Sequence, residues 1–236
     1  MKKRMVILIG AVGVFVFAAF RLFTIEKDYA DSNMEYQQIE QQVVSEVPDA
    51  PVDTFSVDIA MLQSENPDCV GWIRFPNLGI SYPIMHGTDN DYYLHHTFKK
   101  QKKFAGSIFM DSANADDFSD MNTIIYGHNM KNGSMFALLH RYEKSETLTK
   151  EPCFYIYMLD GRHTYEIFSC YTTTDIEYTV FHGAGAAYSE YLDGIKAHAL
   201  YDTGIQVTGA DKIVTLSTCT GNSKSRFIVS GKLIEE

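Results

Sequence analysis

The sequence predicts a mainly β domain set behind an N-terminal apolar segment. Three observations carry this. Fifteen Tyr and fifteen Phe in 236 residues suit the half-buried pleated surfaces of a β-rich core. From Val70 onward, short alternating apolar runs are separated by Gly, Pro, Asn and Asp. Near the C-terminus, Lys212–Cys219, a six-residue polar loop and Arg226–Leu233 read as strand, turn, strand. A chain of this length holds one good-sized domain plus appendages.

The elements follow in order. Lys2, Lys3 and Arg4 precede an uncharged run from Met5 to Phe20, then Arg21 and Leu22–Ile25. The uncharged run alone falls short of the roughly 20 residues that cross a bilayer, but with Arg21 snorkelling to the interface the span reaches Ile25. The leading bases favour a cytoplasmic N-terminus, and the run continues past the cleavage-like Val16–Ala18. Residues 1–25 are therefore expected to be a cytoplasmic tip and an uncleaved signal-anchor, with the rest of the chain outside the membrane. Residues 26–57 are acidic, with Lys27 their only base, and read as a weakly amphipathic helix or a stalk ended by Pro48–Pro51. Residues 58–236 form the folded domain. It opens with a short helix capped by Asp58 and stopped at Asn66–Pro67.

Gly71–Phe75 and Ile80–Met85 read as a hairpin-like pair, and Asp89–Leu94 as a helical turn. Gly106–Met110 and Asn122–Tyr126 are short strands around a polar loop, and Ser134 is placed as N-cap of a helix to Tyr142. Cys153–Met158 and Thr164–Tyr171 flank a turn at Asp160–Gly161. Closing that turn on Leu159 and Arg162 sets Cys153 opposite Phe168, two positions from Cys170, which is usually beyond disulfide reach. Ala184–Leu200 reads as a helix with Tyr188, Tyr191, Leu192, Ile195 and Ala199 on one face. Covering a barrel mouth and simple packing are equally compatible with it.

A net charge of −10 and the lack of a basic patch argue against nucleic acid as a partner. No His, Cys, Asp or Glu set has metal-ligand spacing such as CxxC or HExxH, so no metal is expected. Strand alternation puts Cys219 on the face of Ser217, Thr215 and Ile213. Pairing across the Thr220–Ser225 loop would set Arg226 directly opposite Cys219. A guanidinium there would lower the thiol pKa and could stabilise an oxyanion. The plainer alternative is an exposed arginine after a turn. A thiol attacking an amide also needs a proton acceptor that later protonates the leaving amine. Among eight histidines, His128 in Tyr126-Gly-His-Asn129 is the best placed, at a strand end behind a glycine; His86 also follows a strand near a glycine, the adjacent His95 and His96 would point in different directions on a helix, and His140, His163, His182 and His198 suggest no partner.

Thr215-Leu-Ser-Thr-Cys219 followed by Arg226, with Tyr126-Gly-His128 upstream, resembles the sortases, and more narrowly their class B. The similarity runs from about Asp58 to Leu233, through Asn66–Ile73, Tyr82-Pro-Ile, Gly87–Leu94 and Ala105–Phe109. The resemblance implies an eight-stranded β-barrel with N-terminal helices and a helix inserted before the cysteine strand. It implies a membrane-anchored cysteine transpeptidase without cofactor. Its partners would be surface proteins bearing an NPxTx-like sorting signal and an amine of a peptidoglycan precursor. Carried over by position, Cys219 is the nucleophile, His128 the acid/base and Arg226 the holder of substrate and oxyanion. Asn90, Leu94 and Ser217 match positions near the peptide groove. Thr220 stands where relatives often carry an acid, so no role transfers to it. Two other readings use the same residues differently: a cysteine hydrolase in which water resolves the acyl-enzyme, and a non-enzymatic surface module with a buried Cys219.

Overall fold

The structure is a computed structural model that describes residues 2–46, 54–221 and 224–234. The expected helix stop at Pro48–Pro51 lies outside these residues. Helix α1 (Lys2–Val43) runs through both the apolar and the acidic segments. Its first part shows its apolar side chains to the outside, Phe15 being 74% exposed. Its last turns are different: Tyr36, Ile39 and Val43 recur at helical spacing and are buried in the domain core. The Tyr36 hydroxyl donates to the Gly106 carbonyl at 2.6 Å. The Glu35 carboxylate accepts from the Thr97 hydroxyl and the Lys99 amide, each at 3.0 Å. Part of the segment expected as a helix or stalk is therefore helix packed on the body. A two-residue pairing of Val44–Ser45 with Ser56–Val57 follows. Helix α2 (Ile59–Glu65) starts as read, the Asp58 carboxylate accepting from the Met61 amide at 2.8 Å.

Eight strands close into a barrel: β1 (Cys69–Phe75), β2 (Ile80–His86), β3 (Ile108–Met110), β4 (Asn122–Tyr126), β5 (Cys153–Met158), β6 (Gly161–Thr173), β7 (Ile213–Cys219) and β8 (Arg226–Ile234). The order around the barrel is β8-β6-β5-β1-β2-β3-β4-β7, closing back on β8. The pairs are antiparallel except β2 with β3 and β4 with β7, which are parallel. Closure leaves no barrel edge strand open to pair with another chain. Trp72, Phe75, Ile84, Ile125, Phe154, Leu216 and Phe227 fill the core. Short helix α3 (Tyr92–His95) sits on the β2–β3 crossover.

Two expectations are corrected, and one open alternative is decided. The β5–β6 turn closes on Met158 and Gly161, so Cys153 faces Glu166 rather than Phe168, and Cys170 lies opposite Val229 of β8. A slip of two residues leaves every side chain on its original face, so alternation could not detect it. All four cysteines are free thiols. Burial pushes Cys69 and Cys170 up to about 12, which fits packed, protonated side chains. Ser134 caps no helix. Its hydroxyl bonds the Asn132 side chain at 2.7 Å, Met135 takes φ +56°, and a 3₁₀ helix starts only at Ala137, running to Glu143. A residue in the left-handed region cannot belong to a right-handed helix. Of the two readings left open for α6 (Ala186–His198), the structure favours plain packing. With Tyr188, Tyr191, Leu192 and Ile195 the helix packs on the outer face of the wall, against Phe168, Tyr171, Ile213 and Ile228. Two short helices precede it: α4 (Ser145–Lys150), and α5 (Ile176–Thr179) after β6.

Removing the α2 cap by Asp58→Ala should cost about 1 kcal/mol. Thermal unfolding of the detergent-solubilised chain should then shift down by about 2–4 °C. An unchanged midpoint would mean that the cap carries no weight.

Candidate active site

The outer face of the β4–β7–β8 wall has two ends. At one, Ile213 is roofed by α6, whose cover extends as far as Ile228, the partner of Ser217. At the other the wall is open, and a cavity of about 170 Å³ is lined by Tyr126, His128, Ser217, Cys219 and Arg226 together with Asn90, Leu94 and Ile176. All six residues singled out in the sequence line it. The inserted helix α6 contributes nothing to the lining; α5 does, through Ile176.

Backbone pairing sets this convergence. In the parallel β4–β7 ladder, Tyr126 is level with Ser217. The ladder extends one step, the Ser217 carbonyl accepting from the Gly127 amide at 3.2 Å. Two residues beyond Tyr126 is His128, and two beyond Ser217 is Cys219. On the other side of β7, the antiparallel register pairs Cys219 with Arg226, as the sequence predicted. Histidine, cysteine and arginine thus stand at or just past the ends of three neighbouring strands, and adjacent strands of a sheet lie about 4.8 Å apart. The Thr220 and Ser225 hydroxyls bond each other, and the Ser225 carbonyl accepts from the Thr220 amide at 3.4 Å. That clasp holds the last pair of the hairpin. Cys219, His128 and Arg226 are each half-buried.

His128 is held from both ends. Its Nε2–H donates to the Leu94 carbonyl at 2.9 Å, so the neutral ring keeps its lone pair on Nδ1. Its ring stacks on Phe104, with centroids 5.7 Å apart and planes at 15°. Burial pushes its pKa below the ordinary histidine value, and its neighbours His95 and Arg226 push the same way. The bond to Leu94 opposes them only in part. Leu94 therefore serves this site through its backbone as well as its side chain. The Arg226 guanidinium donates from Nη1 to the Ser225 carbonyl at 3.1 Å.

Other residues shape the site without having stood out in the sequence. Asp111, read as the start of a polar loop, is buried. Its Oδ2 accepts from the Tyr126 hydroxyl at 2.6 Å and from the Asn90 amide at 2.9 Å. Asn90 in turn accepts from the Ser112 amide at 2.8 Å. Desolvation, then Asp111, raises the Tyr126 pKa, so the phenol stays protonated and donates. His140, which had suggested no partner, lies with Nε2 2.9 Å from the Cys219 carbonyl oxygen. Its Nδ1 is 2.8 Å from the Glu143 carboxylate, and its ring stacks on Phe227. The Asn129 side-chain amide donates to the same Cys219 carbonyl at 2.8 Å. The His140/Glu143 spacing of three was the only trace in the sequence. Among the described residues, no three His, Cys, Asp or Glu side chains converge as a metal ion would require.

Gly127 is needed for close approach. A Cβ there would come within 2.5 Å of Ile108 and 2.6 Å of the Phe136 ring. Gly127→Ala should destabilise the fold by about 1–3 kcal/mol through overpacking. It should also displace His128 and lower activity more than a comparable substitution remote from the cavity. Wild-type denaturant midpoint and turnover in this variant would contradict the packing argument.

The sortase domain profile matches residues 73–234. The chain is 44% identical over 179 residues to sortase B of Listeria monocytogenes, covering 73% of this chain and 72% of that one. It is 33% identical over 180 residues to sortase B of Staphylococcus aureus, covering 74% and 73%. The crystal structure of sortase B from Bacillus anthracis superimposes with a TM-score of 0.78 at 33% identity, covering 90% of this chain and all of that one. A closed eight-stranded barrel, a cysteine, histidine and arginine on adjoining strand ends, and these relatives lead to one conclusion: the chain belongs to the sortase family, in its class B, and is a cysteine transpeptidase.

Proposed function

We propose that this transpeptidase is held in the membrane by residues 1–25, with the N-terminus cytoplasmic and the catalytic domain, from about residue 58, outside the cell. Its substrates are surface proteins with an NPxTx-like C-terminal sorting signal. Its acceptor is an amine of a peptidoglycan precursor. The bases Lys2, Lys3 and Arg4 before the apolar part of α1 support that orientation. The observation that carries the catalytic reading is the double register around Cys219: Arg226 is its antiparallel partner, and the parallel ladder pairs Tyr126 with Ser217, each two residues before His128 and Cys219.

In this reading the Cys219 thiolate attacks the carbonyl carbon of the signal's Thr. Arg226 stabilises the oxyanion of the tetrahedral adduct by charge-assisted hydrogen bonds. The adduct collapses with cleavage of the C–N bond, the leaving amine taking a proton from His128. A thioester then links Cys219 to the surface protein. The acceptor amine attacks that carbonyl, gives its proton to His128, and releases the Cys219 thiolate with a new amide bond formed. Asn90, fixed by Asp111, with Leu94 and Ser217, lines the groove in which the signal lies.

The test is incubation with NPxTx and LPxTx peptides and intact-mass detection of the acyl-enzyme. A thioester should form on the wild type with the NPxTx set and vanish in Cys219→Ala. His128→Ala should lose about 10²–10⁴-fold in rate. Arg226→Lys should lose about 10²-fold, because a point charge does not replace the planar fork. A thioester that persists in Cys219→Ala would refute the nucleophile assignment.

The rate should also be bell-shaped in pH. Catalysis needs Cys219 ionised while His128 is protonated, and burial lowers the His128 pKa. The competent fraction is therefore a minority, the acid limb lies below the ordinary histidine value, and turnover is slow. The sign for stability follows from the same shift. The contribution of neutral His128 is present above its unfolded value and is lost as pH falls through the lower folded one. A kcat/KM profile that is flat between about pH 6 and 9 would count against this pairing.

A further inference from the structure

Beyond Lys2–Arg4, this acidic chain carries a second dense run of bases. Lys99, Lys100, Lys102 and Lys103 lie in the loop between α3 and β3, and the run ends on Phe104. Phe104 is 61% exposed. The loop is fastened to α1 at a fixed height. Lys103 Nζ bridges Asp28 at 3.2 Å and Asp31 at 3.1 Å, and the Asp28 carboxylate accepts from the Phe104 amide at 3.1 Å. The Phe104 ring lies 6.3 Å from that of Tyr29. Asp28 stands three residues past Ile25, where the apolar segment ends. At 1.5 Å per residue, the anchor point is about 4.5 Å beyond that end. The polar layer of a bilayer extends about 5–7 Å past the hydrocarbon on each side. Phe104 therefore sits at the level where aromatic rings settle between water and lipid. Lys100 pairs with Asp68 at 3.0 Å, whereas Lys99 and Lys102 are exposed, Lys102 two residues before Phe104. An open crevice of about 420 Å³ between Phe104 and the helix is walled by Arg21, Thr24, Ile25 and Tyr29.

We propose that Lys99, Lys102 and Phe104 form a membrane-surface contact that seats this loop on anionic phospholipid headgroups of the bilayer crossed by α1. The contact rests on the reading of α1 as an uncleaved anchor. Position and charge both select this partner. The loop is tied to the helix just above the apolar segment, and its two outward bases suit an anionic surface in a protein whose net charge is −10. The contact has a consequence for the active site. Phe104 stacks on His128, so the His128 side of the cleft is held toward the membrane surface. A substrate whose tail is still in the bilayer then meets the cleft without leaving the membrane.

The experiment uses the full chain in liposomes of phosphatidylcholine, with or without phosphatidylglycerol, made from lipids brominated in the upper acyl chain. The only Trp, Trp72, is fully buried in the barrel and gives a constant background. In the Phe104→Trp variant, the added emission should shift to the blue and be quenched by bromine. Quenching should be stronger with phosphatidylglycerol, and should weaken when Lys99→Glu and Lys102→Glu are added. Emission typical of a water-exposed indole without quenching would overturn the contact. Quenching indifferent to phosphatidylglycerol would overturn the headgroup assignment. In a Phe104 background, the Lys99→Glu/Lys102→Glu chain should lose roughly 30-fold in turnover of a vesicle-embedded substrate, the combined weight of two basic residues at an anionic surface. Its turnover of a soluble peptide should be unchanged; equal losses on both substrates would overturn the proposal. Quenching needs no turnover, so the two readings fail separately. A chain that is quenched but acylates no peptide contradicts the catalytic reading, and one that acylates without quenching contradicts the contact alone.

Discussion

The parallel pairing of β4 with β7 is the constraint on which the site depends. Two strands far apart in sequence, Asn122–Tyr126 and Ile213–Cys219, run the same way and end together. Parallel neighbours need a long crossover. Here the connection includes β5, β6 and α6, so the cysteine strand arrives only after most of the barrel is laid down. Once it is in place, one register fixes the level of His128 against Cys219, and the hairpin to β8 fixes Arg226. A slip of one residue would turn Ser217 and Cys219 into the barrel and Leu216 and Thr218 out of it. The interior packing of Val214 and Leu216 opposes that slip, so the apolar core holds the chemical register.

The two faces of this wall divide the work. The inner face belongs to the main core. The outer face is half roofed by α6 and half open, and the open half is the cleft. Buried carboxylates then tie loops to the wall. Asp111 orders Asn90 and Tyr126 at the cavity rim, Glu35 of α1 holds Thr97 and Lys99, and Glu151 accepts from the Asn77 and Leu78 amides at the β1–β2 turn. Each buried acid has hydrogen-bond donors, which offset the cost of leaving water. Helix α1 is both the apolar segment and a piece of the body, so the orientation of the domain relative to that segment is built into one continuous element.

Legibility followed the range of the interaction. The Cys219–Arg226 pairing was readable because it lies across a six-residue loop, where alternation and hairpin closure leave few choices. The Asp58 cap was readable for the same reason. The β5–β6 register was missed by two residues because both closures keep Tyr155, Tyr157 and Tyr165 on the same faces. The Ser134 cap failed because Met135 takes a left-handed conformation, and the residues that follow form a 3₁₀ helix instead. Asp111 and His140 were passed over because nothing beside them in the chain needs them. Their partners, Asn90 and the Cys219 carbonyl, lie 21 and 79 residues away.

By itself the sequence determined the mainly β character, the apolar N-terminal segment, the free cysteines of the β5–β6 hairpin, and the cysteine and arginine on one face of one hairpin. It also singled out His128 by its place behind a glycine. The tertiary structure alone decided that His128 and Cys219 line one cavity, that α6 roofs the outer wall instead of the cleft, and that the acidic part of α1 is bound to the loop carrying Phe104. The reason is physical. Periodicity, caps and short turns are set by neighbours along the chain. A parallel ladder between strands 91 residues apart, by contrast, is set by which apolar faces can be buried together, and that choice involves the whole barrel at once.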